Sequence, residues 1–220
     1  MSRVAVVTHV DLRADGVVVH AIRATEIARS LERRGHEVTI IWAPDRGHGA
    51  AARRAEAARE AARFDVAILP STIAFLSAKI KRHRPACAVV LDLFDAPLVG
   101  IIPDLARGTR GEIEFERYRM QQQFSCYAAD RFLCATADQR FWLLGMLSAW
   151  GRLNPRTYHD ELVMVVPTGV PREPGPTVST PLFRGRVVPA LATVILWPGG
   201  VYSHYRPIPL LDALPRLLTV

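Results

Sequence analysis

Lysine is almost missing from this sequence. Lys79 and Lys81 stand alone among 28 basic residues, so nearly all the positive charge is arginine. The net charge of +7 suits an anionic partner. The arginines are scattered, however, and no basic block interleaves with aromatics, which argues against a nucleic-acid surface. The distribution fits a phosphorylated ligand, or at most peripheral contact with an anionic membrane. Residues 50–62 use little but Ala, Arg and Glu, so compositional bias accounts for part of the charge. Cysteine is scarce too. Cys87, Cys126 and Cys134 are odd in number and lack metal-type spacing. They read as reduced, buried thiols of a cytoplasmic protein. No apolar run reaches the length of a membrane span, and Met1-Ser2-Arg3 turns polar too early for a secretion signal. GxGxxG, the Walker loop and the G-x-S-x-G elbow are all absent. The seven histidines are dispersed, so no metal is expected.

What is present is a repeated strand–helix alternation. Half the residues are hydrophobic, enough for a sizeable core. Residues 4–8 form a β-branched run, read as a first buried strand. Apolar and small positions then recur at helical spacing over 17–34 and stop at Gly35. Residues 37–42 supply a second strand, which completes a βαβ unit. A helix is expected over 50–63, a strand over 66–69, and a helix capped by Ser71 or Thr72 that ends near His83. Residues 87–91 form a fourth strand, and 98–110, with Pro103 and two glycines, read as irregular. A helix over 112–129 leads to a stretch around which the rest is arranged, residues 131–171. It holds a strand at 132–134, an aromatic-rich helix over 138–150, and a strand at 163–166 closed by Pro167-Thr168-Gly169. Four prolines and two glycines then mark 172–190 as a linker. Residues 192–197 restart the pattern as a strand, Pro198-Gly199-Gly200 form a glycine turn, and 208–218 form a helix. The expected organisation is a Rossmann-like α/β domain with a mostly parallel sheet over 1–171, the linker, and an incomplete second α/β domain over 191–220.

In open α/β sheets, ligands lie beyond the carboxyl ends of strands, and this selects the candidates. Asp92 and Asp95 follow the fourth strand as a carboxylate pair able to orient or deprotonate a hydroxyl. The bland alternative is that Asp95 caps the next segment. Gly16 frees the backbone after the first strand, and Arg23, one turn into the helix, can reach an anionic group. His20, at the end of that loop, is a substrate-contact candidate. Thr136, Gln139 and Arg140 sit at the fifth strand tip, although Thr136 also serves as a helix N-cap. Gly199 and Gly200 could present backbone N–H groups to a diphosphate.

Several stretches resemble the N-terminal half of a family-four glycosyltransferase of the GT-B type. They are Arg23-Ala24-Thr25-Glu26-Ile27-Ala28 with Leu31-Glu32-Arg33-Arg34-Gly35-His36; Cys134-Ala135-Thr136; Gly151-Arg152-Leu153-Asn154-Pro155; Val165-Val166-Pro167-Thr168-Gly169; and Leu196-Trp197-Pro198-Gly199-Gly200. The resemblance covers essentially the whole chain and about half of a complete two-domain enzyme. It implies an acceptor-side domain followed by the start of a nucleotide-sugar-binding domain. It also implies transfer with retention of configuration and no metal. Two departures stand out. Pro198 occupies a position where the family's subgroup carries a small residue. The family's pair of glutamates separated by seven residues, which holds the donor, does not occur. The expectation is therefore a transferase fragment whose donor side is supplied elsewhere, by a separate chain if at all. The alternative expectation is a non-catalytic Rossmann-like module.

Overall fold

The β-branched run Arg3–Thr8 (β1) is buried along almost its whole length, which calls for cover on both faces. The computed structural model describes residues 1–13, 18–95, 97–108, 111–158, 161–169, 183–197 and 207–217. The chain divides into two compact units, Met1–Gly169 and Val170–Val220.

In the first unit β1 leads to Val19–Glu32 (α1), Glu37–Trp42 (β2), Ala50–Ala61 (α2) and Val66–Pro70 (β3). After a 3₁₀ turn at Ser71–Ile73 come Leu76–His83 (α3), Ala88–Asp92 (β4), Pro97–Ala106 (α4) and Glu112–Ala128 (α5). Arg131–Cys134 (β5), Ala137–Ala149 (α6) and Val163–Val165 (β6) complete it. The six strands form one sheet in the order β2-β1-β3-β4-β5-β6, and every pairing is parallel. This is the α/β architecture expected from the alternation of strands and helices.

Right-handed crossovers place the helix on one face when the chain moves outward to β2 and on the other when it returns to β3. The core follows this division. Val4, Val6, Ile68 and Leu133 pack with Ala24 and Ala28 of α1. Ala5, Val7, Leu69, Leu91 and Phe132 point the opposite way, into a larger core with Ala57 and Ala61 of α2, Ile80 of α3 and Leu143 and Leu147 of α6. The small residues on α1 and α2 let helix and sheet approach closely. Gly35 terminates α1 at φ +83°, where the His36 N–H returns to the Leu31 carbonyl, a conformation that suits glycine. All three cysteines are free and buried. Burial raises each thiol above its usual range, that of Cys126 to about 12, so they act as small apolar side chains.

Three expectations are corrected. Residues 97–106 are helical, not irregular. Pro97 supplies the preset φ of a first helical position, and the helix lies against α5, with Pro103 accommodated inside it. The hydroxyls of Ser71 and Thr72 cap nothing; they turn towards the crevice described below. In the second unit, described residues 192–197 carry no strand, because a strand exists only through a ladder with a neighbour. That unit holds, among its described residues, a bridge between Arg184 and Val188 and the helix Ile208–Leu217 (α7). Among the described residues no helix is long and apolar enough to cross a membrane.

Candidate functional site

With all strands parallel, six carboxyl ends collect along one edge of the sheet. The order reverses between β1 and β3, and there the crossovers leave towards opposite faces. The loops diverge and open a crevice, the place where such sheets bind ligands. His9 leaves β1 and Thr72 leaves β3, and the His9 Nδ1 and Thr72 Oγ1 atoms lie 2.8 Å apart across this gap.

His20, in the first turn of α1, meets the His9 ring edge-on at 4.6 Å and the Phe94 ring at 5.0 Å. Its Nε2 is buried without a hydrogen-bond partner among the described residues and lies 3.6 Å from Asp95 Oδ2. The other Asp95 oxygen accepts from the Ser71 hydroxyl at 2.5 Å. Burial alone would lift the Asp95 carboxyl, but His20 and Ser71 beside it more than offset this and hold it below the usual range. Asp95 is thus an ionised acceptor facing an imidazole, an arrangement suited to orienting a hydroxyl and taking its proton. Burial, reinforced by the neighbouring His20, lowers the His9 pKa below its ordinary 6.5. The His9 contribution to stability is therefore complete above that value and is lost as pH falls through the lowered one.

Beneath this pair lies a second one. Arg23 is 4 % exposed and Asp92 is 5 % exposed. The Arg23 Nε and Nη2 donate to the two Asp92 oxygens at 2.6 and 2.8 Å, and Nη1 donates to the Val166 carbonyl at 2.9 Å. The guanidinium also lies 4.9 Å from the centre of the Phe94 ring. Burial raises the Asp92 carboxyl, against the opposing pull of Arg23. Each guanidinium nitrogen of Arg23 therefore binds protein, and the residue ties α1 to β4 and to the exit of β6.

Thr136, Gln139 and Arg140 hold the strand tips together. The Thr136 hydroxyl accepts from the Gln139 N–H at 3.1 Å and caps α6. The Gln139 side chain accepts from the Ala135 N–H and donates to the Phe94 carbonyl at 2.8 Å, which fixes the loop that carries Asp95. The Arg140 Nε donates to the Val163 carbonyl. Replacing Thr136 by alanine is expected to cost about 1 kcal/mol in urea unfolding, the usual worth of such a cap.

The structure thus gathers Arg23, His20, Asp92 and Asp95 in one crevice and makes Gln139 its support. Gly16, Gly199 and Gly200 lie outside the described residues. Sequence reading missed His9, Ser71, Thr72 and Phe94. All four directly follow strands or sit within two residues of a strand end, but only the strand order reveals which strand ends meet. On the α2–α5 side, Ser71 and Thr72 also wall a cavity of about 620 Å³. Among the described residues no group of three or more His, Cys, Asp or Glu side chains could hold a metal ion.

The crevice and sheet order define a doubly wound parallel α/β domain with a switch-point site. No protein-family model and no curated protein matches the sequence. Among solved structures, the chain is similar to an α-glucosyltransferase in complex with UDP, with a TM-score of 0.44 and 15 % identity over 73 % of this chain and 41 % of the other. An α-glucosyltransferase bound to UDP and a 13-mer DNA containing an HMU base gives a TM-score of 0.43 and 16 % identity over 70 % and 40 % of the two chains. The chain spans less than half of either matched chain. Likenesses at this level assign no residue and no chemistry to this protein.

Proposed function

We propose that residues 1–169 form the acceptor-side domain of a nucleotide-sugar-dependent glycosyltransferase of the GT-B type. The observation that carries the reading is the His20–Asp95 pair in the switch-point crevice, in a chain whose sequence carries the motifs set out above. In the reaction, an acceptor hydroxyl attacks the anomeric carbon of the donor sugar. The bond to the nucleoside diphosphate breaks, and the hydroxyl proton is lost. Asp95 and His20 orient the hydroxyl and receive that proton at an imidazole nitrogen or carboxylate oxygen. Arg23 and Asp92 fix α1, and with it His20, against the sheet. Donor binding through a domain bearing the glutamate pair, retention of anomeric configuration, no need for a metal ion and residence in the cytoplasm belong to the same proposal.

The test joins residues 1–190 to the donor domain of a GT-B enzyme. The fusion should transfer sugar from its nucleotide donor to a hydroxyl acceptor, and His20→Ala should remove transfer without loss of donor binding. Equal turnover by wild type and His20→Ala rejects the proposed role of the crevice. Donor binding with no transfer to any acceptor of a broad panel favours the non-catalytic module instead.

A further inference from the structure

The cavity beside the crevice has a chemistry of its own. Its volume of about 620 Å³ lies within the range of small-molecule sites. Arg46, Arg54 and Arg117 line it against a single carboxylate, Asp45, an excess of two positive charges. Asp45 lies 3.6 Å from Arg46 at the rim. Arg54 donates to the Pro44 and Asp45 carbonyls and lies 5.6 Å from the centre of the Phe75 ring, which sets the plane of its guanidinium. Arg117, on α5, lies 5.5 Å from the Tyr118 ring centre and meets no carboxylate among the described residues. One turn further along the same helix face come Gln121 and Gln122.

Gln122 is the telling residue. It is 7 % exposed, yet the one bond its side-chain amide makes among the described residues is a 4.0 Å contact with the Met146 sulfur. A buried amide normally has oxygen or nitrogen partners. Gln122 lines a cavity whose other lining residues include three arginines and the apolar side chains of Leu98 and Ile101.

The geometry points to a phosphate monoester of a sugar-sized polyol as the ligand of this cavity. The dianion sits between Arg46 and Arg117, the hydroxyls meet Gln121 and Gln122, and one face of the carbon skeleton rests on Leu98 and Ile101. Guanidinium suits phosphate because it offers paired N–H donors in a plane. The proposal rests on the transferase reading only in making this ligand the acceptor, since Ser71 and Thr72 join the cavity wall to Asp95 and His9. Binding itself needs no donor and no transfer.

The experiment is calorimetric titration of the 220-residue chain with glucose 6-phosphate, glucose, and glycerol 3-phosphate. The phosphate esters should bind and glucose should not. Arg117→Gln should weaken glucose 6-phosphate about ten- to a hundredfold, the range for a hydrogen bond to a charged group, with an unchanged urea midpoint. Arg59→Gln, outside the cavity, should leave binding unaltered. Gln122→Leu should weaken glucose 6-phosphate while leaving inorganic phosphate as it was. A parallel arm uses phosphatidylcholine vesicles with and without phosphatidic acid. Saturable, Arg117-dependent binding to the acidic vesicles alone assigns the phosphate to a lipid headgroup, whereas binding of the soluble esters assigns it to a free metabolite. Equal response to glucose and glucose 6-phosphate, or equal losses in Arg117→Gln and Arg59→Gln, overturns the proposal. A transfer-inactive fusion that still binds glucose 6-phosphate through Arg117 rejects the transferase reading and leaves this one standing.

Discussion

Replacing Arg23 by methionine should lower the unfolding free energy by about 3–5 kcal/mol, as should replacing Asp92 by asparagine. Either change leaves one charge of a buried pair without its partner. Arg23 and Asp92 are almost wholly inaccessible, and two short bonds join them. A charge stranded there keeps its desolvation cost and loses the attraction that offset it. Arg23→Met also removes the bond to the Val166 carbonyl, so α1 loses its tie to the exit of β6. The double variant Arg23→Met with Asp92→Asn should recover most of the loss, because no uncompensated charge remains. Urea unfolding of the four proteins measures the coupling. Single-variant losses below about 1 kcal/mol, the worth of an exposed pair, would mean that water reaches this site.

The second large effect falls on rate and not on stability. In the donor-domain fusion, Asp95→Asn should reduce sugar transfer about 10²–10⁴-fold, the usual contribution of a positioned acid–base group. The amide keeps an oxygen for the Ser71 hydroxyl but loses the charge that faces His20. The pair is partly open to solvent, with the two side chains 21 % and 34 % exposed. Its contribution to folding should therefore stay under about 1 kcal/mol. The Asp95 carboxyl is held below its usual range. Its ionised form is favoured in the folded state, fully so above the unfolded pKa of about 4, and this is lost only as pH falls through the folded value. An acid limb in the transfer rate above about pH 5 would not come from Asp95. An Asp95→Asn fusion with wild-type rate would remove Asp95 from the chemistry, whatever its fold stability.

The strands were legible in the sequence because buried parallel strands demand uninterrupted β-branched and aliphatic runs, and β2 lies where its run begins and ends. Gly35 was legible for a similar reason, since a positive φ selects its residue type. Helix α4 was not, because glycine and proline read as breaks while its position against α5 is a tertiary fact. The segment 192–197 erred the other way. Its composition suits a strand, but a ladder requires a neighbour that composition cannot supply. At the site, Asp92 and Asp95 were visible as strand-end carboxylates. That Asp92 would be neutralised by Arg23 while Asp95 stayed available was not visible, because the choice depends on where α1 crosses the sheet. His9 and Thr72 carry no pattern of their own. They matter because β1 and β3 are neighbours, which only the strand order shows.

The bonds of Arg23 reach across 69 residues to Asp92 and 143 to Val166. Neither can close until β4 and the exit of β6 have taken their places in the sheet. During most of folding, Arg23 and Asp92 are separate, hydrated ions, and their attraction does nothing to steer the chain. The pair is therefore expected to form in the last steps of assembly, beyond the rate-limiting barrier. In stopped-flow kinetics, Arg23→Met should leave the refolding limb unchanged and accelerate unfolding by nearly the whole stability loss. That outcome would make Arg23 a determinant of how long the folded state lasts and not of how fast it forms.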